Sequence, residues 1–161
     1  MIRVPPQAQR GITMVESLVA LVVLSIGLLG IAGMYVMSLQ TGRTAMLRTQ
    51  AVNLVSDLGD RIRANGRARE AYDLATYGGA PAEHDCVVTA NCTAAELAED
   101  DLARWLQNVD DALPTGVDAQ VVVTRAAAVG LPDQYRIDLL WREASEEFSY
   151  GSSTFLIAAE P

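Results

Sequence analysis

The residues able to do chemistry are few and unevenly placed. There is 1 His, His84, and there are 2 Cys, Cys86 and Cys92, all in one short stretch. Their spacing is not the usual zinc spacing, and so few soft ligands cannot build a zinc-finger array. One His in a loop supports no Ser-His-Asp set. Its sequence context is that of a solvated loop residue. Glu99, Asp100, Asp101, Asp110 and Asp111 form an acidic run. Paired carboxylates suit general acid–base work or calcium, but the Gly-centred pattern of oxygen ligands that calcium loops use is missing. They read as a solvated helix face. All 12 cations are Arg, so Lys-dependent phosphate or Schiff-base chemistry is excluded. The net charge of −8 argues against a nucleic-acid binder as a whole, since phosphates need surplus cations. Arg61, Arg63, Arg67 and Arg69 crowd one place, but Asp57, Asp60, Glu70 and Asp73 surround them. They complement the negative end of a helix dipole. No catalytic residue, metal site or cofactor is expected.

The most informative acid is Glu16. It stands one position before Ser17 to Gln40, a stretch without a charged residue. Within that stretch, Leu18 to Met37 is long enough to cross a bilayer, since about 20 helical residues span about 30 Å of hydrocarbon. Arg3 and Arg10 favour a cytoplasmic leader, a bias that Arg43 and Arg48 blunt. The apolar run exceeds the core of a removable secretory signal, and no A-x-A site follows it. A carboxylate at the edge of such a span either snorkels to the headgroups or finds a cation. Were the chain cut after Gly11, the new α-amine of Ile12 would lie four residues from Glu16. The amine of one subunit would then meet the carboxylate of the next in a helical bundle, setting the register between them. Gly27, Gly30 and Gly33 recur inside the span. They read equally as a smooth strip for helix approach, as local softness, or as ordinary membrane-helix glycines.

The elements that position these residues follow from periodicity. Leu47, Ala51, Leu54, Val55, Leu58 and Ile62 make one apolar stripe, so a single helix is expected from about Ile12 to about Ala64, capped near Asn65-Gly66. Tyr72 to Cys92 reads as a loop. A disulfide between Cys86 and Cys92 is expected if this region lies outside the cytoplasm. Thr93 and Glu96 form a capping box, and Leu102, Trp105, Leu106, Val109 and Leu113 continue a second helix until Pro114. Val117 to Arg125, Tyr135 to Arg142 and Ser152 to Ala158 read as strands of an antiparallel meander, the middle one with a clear apolar face. The sheet needs a cover. The outer half of the first helix supplies one, and the Trp105 helix is expected to close an edge.

Arg10-Gly11-Ile12-Thr13-Met14-Val15-Glu16, running directly into SLVALVVLSIGLLGIAG, resembles the class III signal of type IV pilins and type II secretion pseudopilins. The resemblance implies a peptidase cut after Gly11, methylation of Ile12, and Glu16 as the fifth residue of the mature chain. The family usually begins its mature chain with Phe or Met; Ile stands there in this sequence. Ile26 to Ala32, Leu58 to Asn65 and Cys92 to Trp105 further resemble minor pilins of the PilV (type IV pilus modification) group. The fold implied is α+β and type IV pilin-like: a long N-terminal helix, half membrane-spanning and half amphipathic, packed on a small antiparallel β-sheet with one additional short helix. The organisation implied is a leader at 1–11, a transmembrane and assembly half-helix at 12–39, and a periplasmic globular domain at 40–161.

The function implied is a low-abundance, non-enzymatic subunit that primes or modifies pilus assembly, with twitching, adhesion and DNA uptake as downstream consequences. Its partners would be prepilin peptidase, other minor pilins, the major pilin and the inner-membrane assembly platform, with no direct nucleic-acid contact. It would reside in the bacterial inner membrane and then in the pilus. Two readings compete: a type II secretion pseudopilin, and an uncleaved single-pass protein with a periplasmic domain that binds a ligand or partner.

Overall fold

A computed structural model describes residue 11 and residues 13–88, 91–128, 131–143 and 146–157, with side chains described as far as residue 142. Residues 1–10 of the leader, Ile12 and Ala158 lie outside the described residues. Two compact units are present, Met1–Arg43 and Thr44–Pro161. Helix α1, Met14–Ala64, contributes residues to both.

In the first unit, α1 starts where Thr13 Oγ1 accepts the Glu16 amide at 3.3 Å and the Thr13 carbonyl accepts the Ser17 amide at 3.2 Å. The helix continues through the uncharged stretch with its Val, Leu and Ile side chains exposed. An 18-residue window of α1 reaches a mean hydropathy of 2.4 and is unburied, so by length and composition the helix is able to cross a membrane. Ser25 and Thr41 donate back to the carbonyls of Leu21 and Met37, which satisfies their hydroxyls without outside partners.

The second unit is built on the expected stripe. Ala51, Val55, Leu58 and Ile62 of α1 are buried, which is one face of a 3.6-residue period. Helix α2, Ala94–Ala112, begins at Thr93 with both halves of the capping box formed. Strands β1, Asp118–Thr124, β2, Asp133–Glu143, and β3, Glu146–Ile157, form an antiparallel sheet in the order β1-β2-β3. Val121 pairs with Ile137, and Tyr135 with Phe155. Tyr135, Ile137, Leu139 and Trp141 are all buried, as period-two alternation requires. Gly116, at φ +87, makes the turn into β1 that an L side chain rarely adopts.

Trp105 on α2 is central to this core, and three expectations are corrected. Trp105 is fully buried in the core with Leu58, Ile62 and Ile137, and its Nε1 donates to the Leu54 carbonyl at 2.9 Å. The end of α1 is not a glycine cap. Asn65 instead donates from Nδ2 to the Ala94 carbonyl at 2.8 Å and to Tyr72 Oη at 3.3 Å, and the left-handed residue of this connection is Arg69, at φ 46. The stretch read as loop, Tyr72 to Cys92, contains a 3-10 turn at Leu74–Thr76, and another, Arg69–Tyr72, ends on its first residue, the buried Tyr72. Finally, β3 starts at Glu146, ahead of Ser152.

Candidate functional site

Two places carry functional side chains. At the amino-terminal end of α1, Gly11 is exposed, with nothing within 4 Å of where a Cβ would stand. Its lack of a side chain therefore answers no packing need among the described residues. Glu16 lies in the first turn of α1, where a carboxylate faces the positive end of the helix dipole. Gly27, Gly30 and Gly33 are exposed, with open space beside each. At about 100° per residue, their spacing distributes them over about 120° of the helix surface rather than in one line.

The second place is the segment before Cys86, which α2 holds by successive carboxylates with different tasks. Glu99 accepts the Ala82 amide at 2.9 Å and lies 2.8 Å from His84 Nε2. Asp100 is 1% exposed; its Oδ1 accepts the amides of His84 at 2.9 Å and Asp85 at 3.1 Å, and its Oδ2 accepts Arg104 Nε at 2.9 Å. Asp101 accepts Tyr72 Oη at 2.8 Å and Arg61 Nη1 at 3.1 Å. Glu99, Asp100 and Asp101 are thus not the solvated face that their sequence suggests, and His84 is not merely a solvated loop residue. Burial opposes ionisation of Asp100, but Arg104 and the two amides outweigh it and hold the carboxyl below its ordinary range. Glu99 is also held low, first by the Ala82 amide, while Glu99 raises the pKa of His84. Burial raises the Tyr72 phenol.

The anchored segment leads directly into the disulfide. Cys86 and Cys92 are joined, as expected for an oxidising compartment. The two sulfurs are therefore not metal ligands. Among the described residues no group of three His, Cys, Asp or Glu side chains is placed to hold a metal ion.

A third polar assembly has no signature in the sequence. Arg69 donates from Nε and Nη2 to the two oxygens of Asp133 at 2.8 and 2.9 Å, and Asp133 also accepts the Ala126 amide at 2.9 Å. Arg69 therefore serves Asp133 and not the helix dipole. Its left-handed backbone is offset by a bidentate pair with a carboxylate that is 2% exposed. Arg69 first, and then the Ala126 amide, keep the Asp133 carboxyl low. On the connecting turn, Asp73 accepts both the Ala75 amide and the β1 amide of Val123, closing part of that strand's free edge. The sequence hints at neither the Arg69–Asp133 pair nor the Asp73–Val123 bond, because those partners lie 64 and 50 residues apart.

The titrations predict opposing pH dependences. Asp100 and Asp133 have depressed folded pKa values, so their stabilisation is present above the unfolded carboxylate range near 3.9 and is lost as pH falls through the folded value. His84 has a raised folded pKa, so its contribution is present below about 6.5 and fades as pH rises through the folded value. The denaturation midpoint is expected to fall on both sides of mildly acidic pH. His84→Gln is expected to flatten chiefly the alkaline side, with a smaller loss on the acid side because His84 also helps hold Glu99 low. An unchanged alkaline slope in that variant would remove His84 from the account.

Comparison with known families adds two matches. Residues 6–32 match the prokaryotic N-terminal methylation motif, and residues 33–103 match the type IV pilin Tt1218 family model. No curated protein and no solved structure matches the chain. The second match includes the part of α1 that carries the core stripe, the anchored disulfide segment and the start of α2. The long apolar helix, the second helix and the antiparallel sheet have the α+β arrangement of a type IV pilin. The methylation motif implies processing by prepilin peptidase and assembly with other pilins, and together with the apolar helix it supports membrane anchoring and incorporation into a pilus. The two matches, over residues 6–32 and 33–103, thus support a place for the chain in the type IV pilin superfamily.

Proposed function

We propose that this chain is a minor pilin of the type IV pilus, of the PilV group, which primes or modifies pilus assembly. The observation that carries the reading is the methylation motif on an exposed apolar helix whose first turn holds Glu16. In this reading the peptidase removes Met1 to Gly11 and methylates Ile12. Until assembly the apolar part of α1 keeps the subunit in the inner membrane, with Arg3 and Arg10 on the cytoplasmic side and the globular domain in the periplasm. The disulfide suits that compartment. On assembly, contacts with the major pilin and other minor pilins replace lipid around the helix, and Gly27, Gly30 and Gly33 allow close approach. Ile12 and Glu16 of neighbouring subunits then pair.

Intact mass of the protein taken from membranes tests this, with and without reductant. Loss of Met1 to Gly11 with gain of one methyl group is expected, and reductant is expected to add the two hydrogens of an opened disulfide. A full-length chain in functional pili overturns the reading. Because the sequence contains no Lys, an amine-reactive reagent has a single chain-terminal amine to find, and sequencing the labelled peptide places the cut.

A further inference from the structure

The disulfide ring presents two large apolar side chains to solvent on a firmly held base. Val87 is 78% exposed and Val88 is 82% exposed. Neither is needed by the core, and neither belongs to the apolar helix that assembly explains. The segment leading into them is fixed at several points. The amides of Ala82, His84 and Asp85 are bound by Glu99 and Asp100, Glu83 accepts a hydrogen bond from Gln107, and the Val88 amide closes a turn on the Asp85 carbonyl at 2.9 Å. Asp85 holds φ 51, and the Cys86–Cys92 bond closes the ring. Side chains presented from a held base lose less entropy on binding, and this is how a small contact becomes a strong one.

The charge around the projection selects the partner. Glu83, Asp85, Glu96, Glu99 and Asp100 surround its base, against Arg104 and His84. Arg104 is already engaged by Asp100 and Asp85. The rim is therefore acidic. A second copy offers a poor counterpart, because each chain carries a net charge of −8 and like charges oppose each other across a contact. We propose that Val87 and Val88 insert into an apolar cleft on a different protein subunit, and that Arg or Lys side chains around that cleft meet Glu83 and Asp85. This deepens the pilus-subunit reading by giving the class of partner, and it rests on that reading for the compartment in which the two meet.

The test uses the full chain in its native membrane, with a benzophenone amino acid in place of Asn91, which is exposed within the ring. Irradiation is expected to join it to a protein other than this chain, and mapping of the joined peptide is expected to place it beside surface Arg or Lys. Val87→Ser with Val88→Ser is expected to lower the yield about tenfold, as removal of hot-spot side chains does. Glu83→Gln with Asp85→Asn is expected to lower it several-fold through lost charge complementarity. Both variants replace exposed residues, and intact mass under non-reducing conditions verifies that the ring is closed. Adducts formed only with a second copy, the absence of an adduct, or a yield indifferent to the two valines overturns the proposal. The same spectra show whether the leader is gone, so a processed chain without an adduct defeats the docking surface alone, and an unprocessed chain defeats the pilus reading.

Discussion

Asp100→Ala is expected to destabilise the globular unit by about 3 kcal/mol and to free the segment before Cys86 from α2. The carboxylate is 1% exposed and binds two backbone amides and one guanidinium. Its removal leaves the His84 and Asp85 amides without acceptors at a partly buried site, and each orphaned group costs about 1–3 kcal/mol. Nothing the size of a carboxylate replaces it, so a small void adds to the loss. A domain of ordinary stability holds only about 5–15 kcal/mol in reserve, so the melting temperature should fall by about 10 °C. Asp100→Asn should lose less, because its carbonyl oxygen still accepts both amides while its NH2 faces Arg104. Asp111→Ala, on the exposed side of the same helix, should change stability by less than about 0.5 kcal/mol. Denaturant melts of the three variants rank the effects. Hydrogen exchange supplies the local readout: the amides of His84 and Asp85 are expected to exchange at open-loop rates in Asp100→Ala while the core of α2 stays protected. If Asp100→Ala melts with Asp111→Ala, the carboxylate is not the anchor.

Local and periodic features are legible in the sequence itself. The stripe from Leu47 to Ile62 specifies a helix face, and those residues line the core. Thr93 and Glu96 specify a helix start, and both of its hydrogen bonds form. Tyr135 to Trp141 alternate in sequence and are buried on one face of β2. What periodicity does not carry is tertiary. Glu99, Asp100 and Asp101 look alike as consecutive acids, but α2 turns them toward different partners: Ala82 and His84, then Arg104 and the loop amides, then Tyr72 and Arg61. Arg69 looks like one more cation in a cluster, yet its partner is Asp133 on β2. Trp105 fits a helical stripe, but nothing in that stripe names Leu54, whose carbonyl accepts its indole N–H. Periodicity states which face is buried, not what faces it. The role of Thr13 does have a sequence signal, because Thr-x-x-Glu ahead of an apolar run is the same cap pattern that Thr93 and Glu96 form. At Glu16 that pattern has a direct consequence for the assembly reading.

Glu16→Ala is expected to leave processing intact and to lower incorporation into filaments by about a hundredfold or more. On the proposed reading, the Glu16 carboxylate faces the methylated ammonium of a neighbouring Ile12 among apolar helices. Leaving a buried ion without its partner costs about 3–5 kcal/mol, which corresponds to a loss of at least a hundredfold in the assembly equilibrium. A competing role is visible in the structure. Glu16 occupies the third position of the first turn, and its amide is bound by Thr13 Oγ1, so its carboxylate also suits the start of the helix. The two roles separate experimentally. Thr13→Ala removes the cap at a cost of about 1 kcal/mol, enough for only a few-fold change, and leaves the charge in place. Glu16→Gln keeps an acceptor for the helix start and removes the charge. If pairing governs, Glu16→Gln behaves like Glu16→Ala and Thr13→Ala stays close to the unaltered chain. If capping governs, Thr13→Ala is impaired as much as Glu16→Ala, and Glu16→Gln retains incorporation. Intact mass of each variant before assembly shows that Met1 to Gly11 has gone, so a deficit in the filament fraction is read as a failure of assembly and not of cleavage.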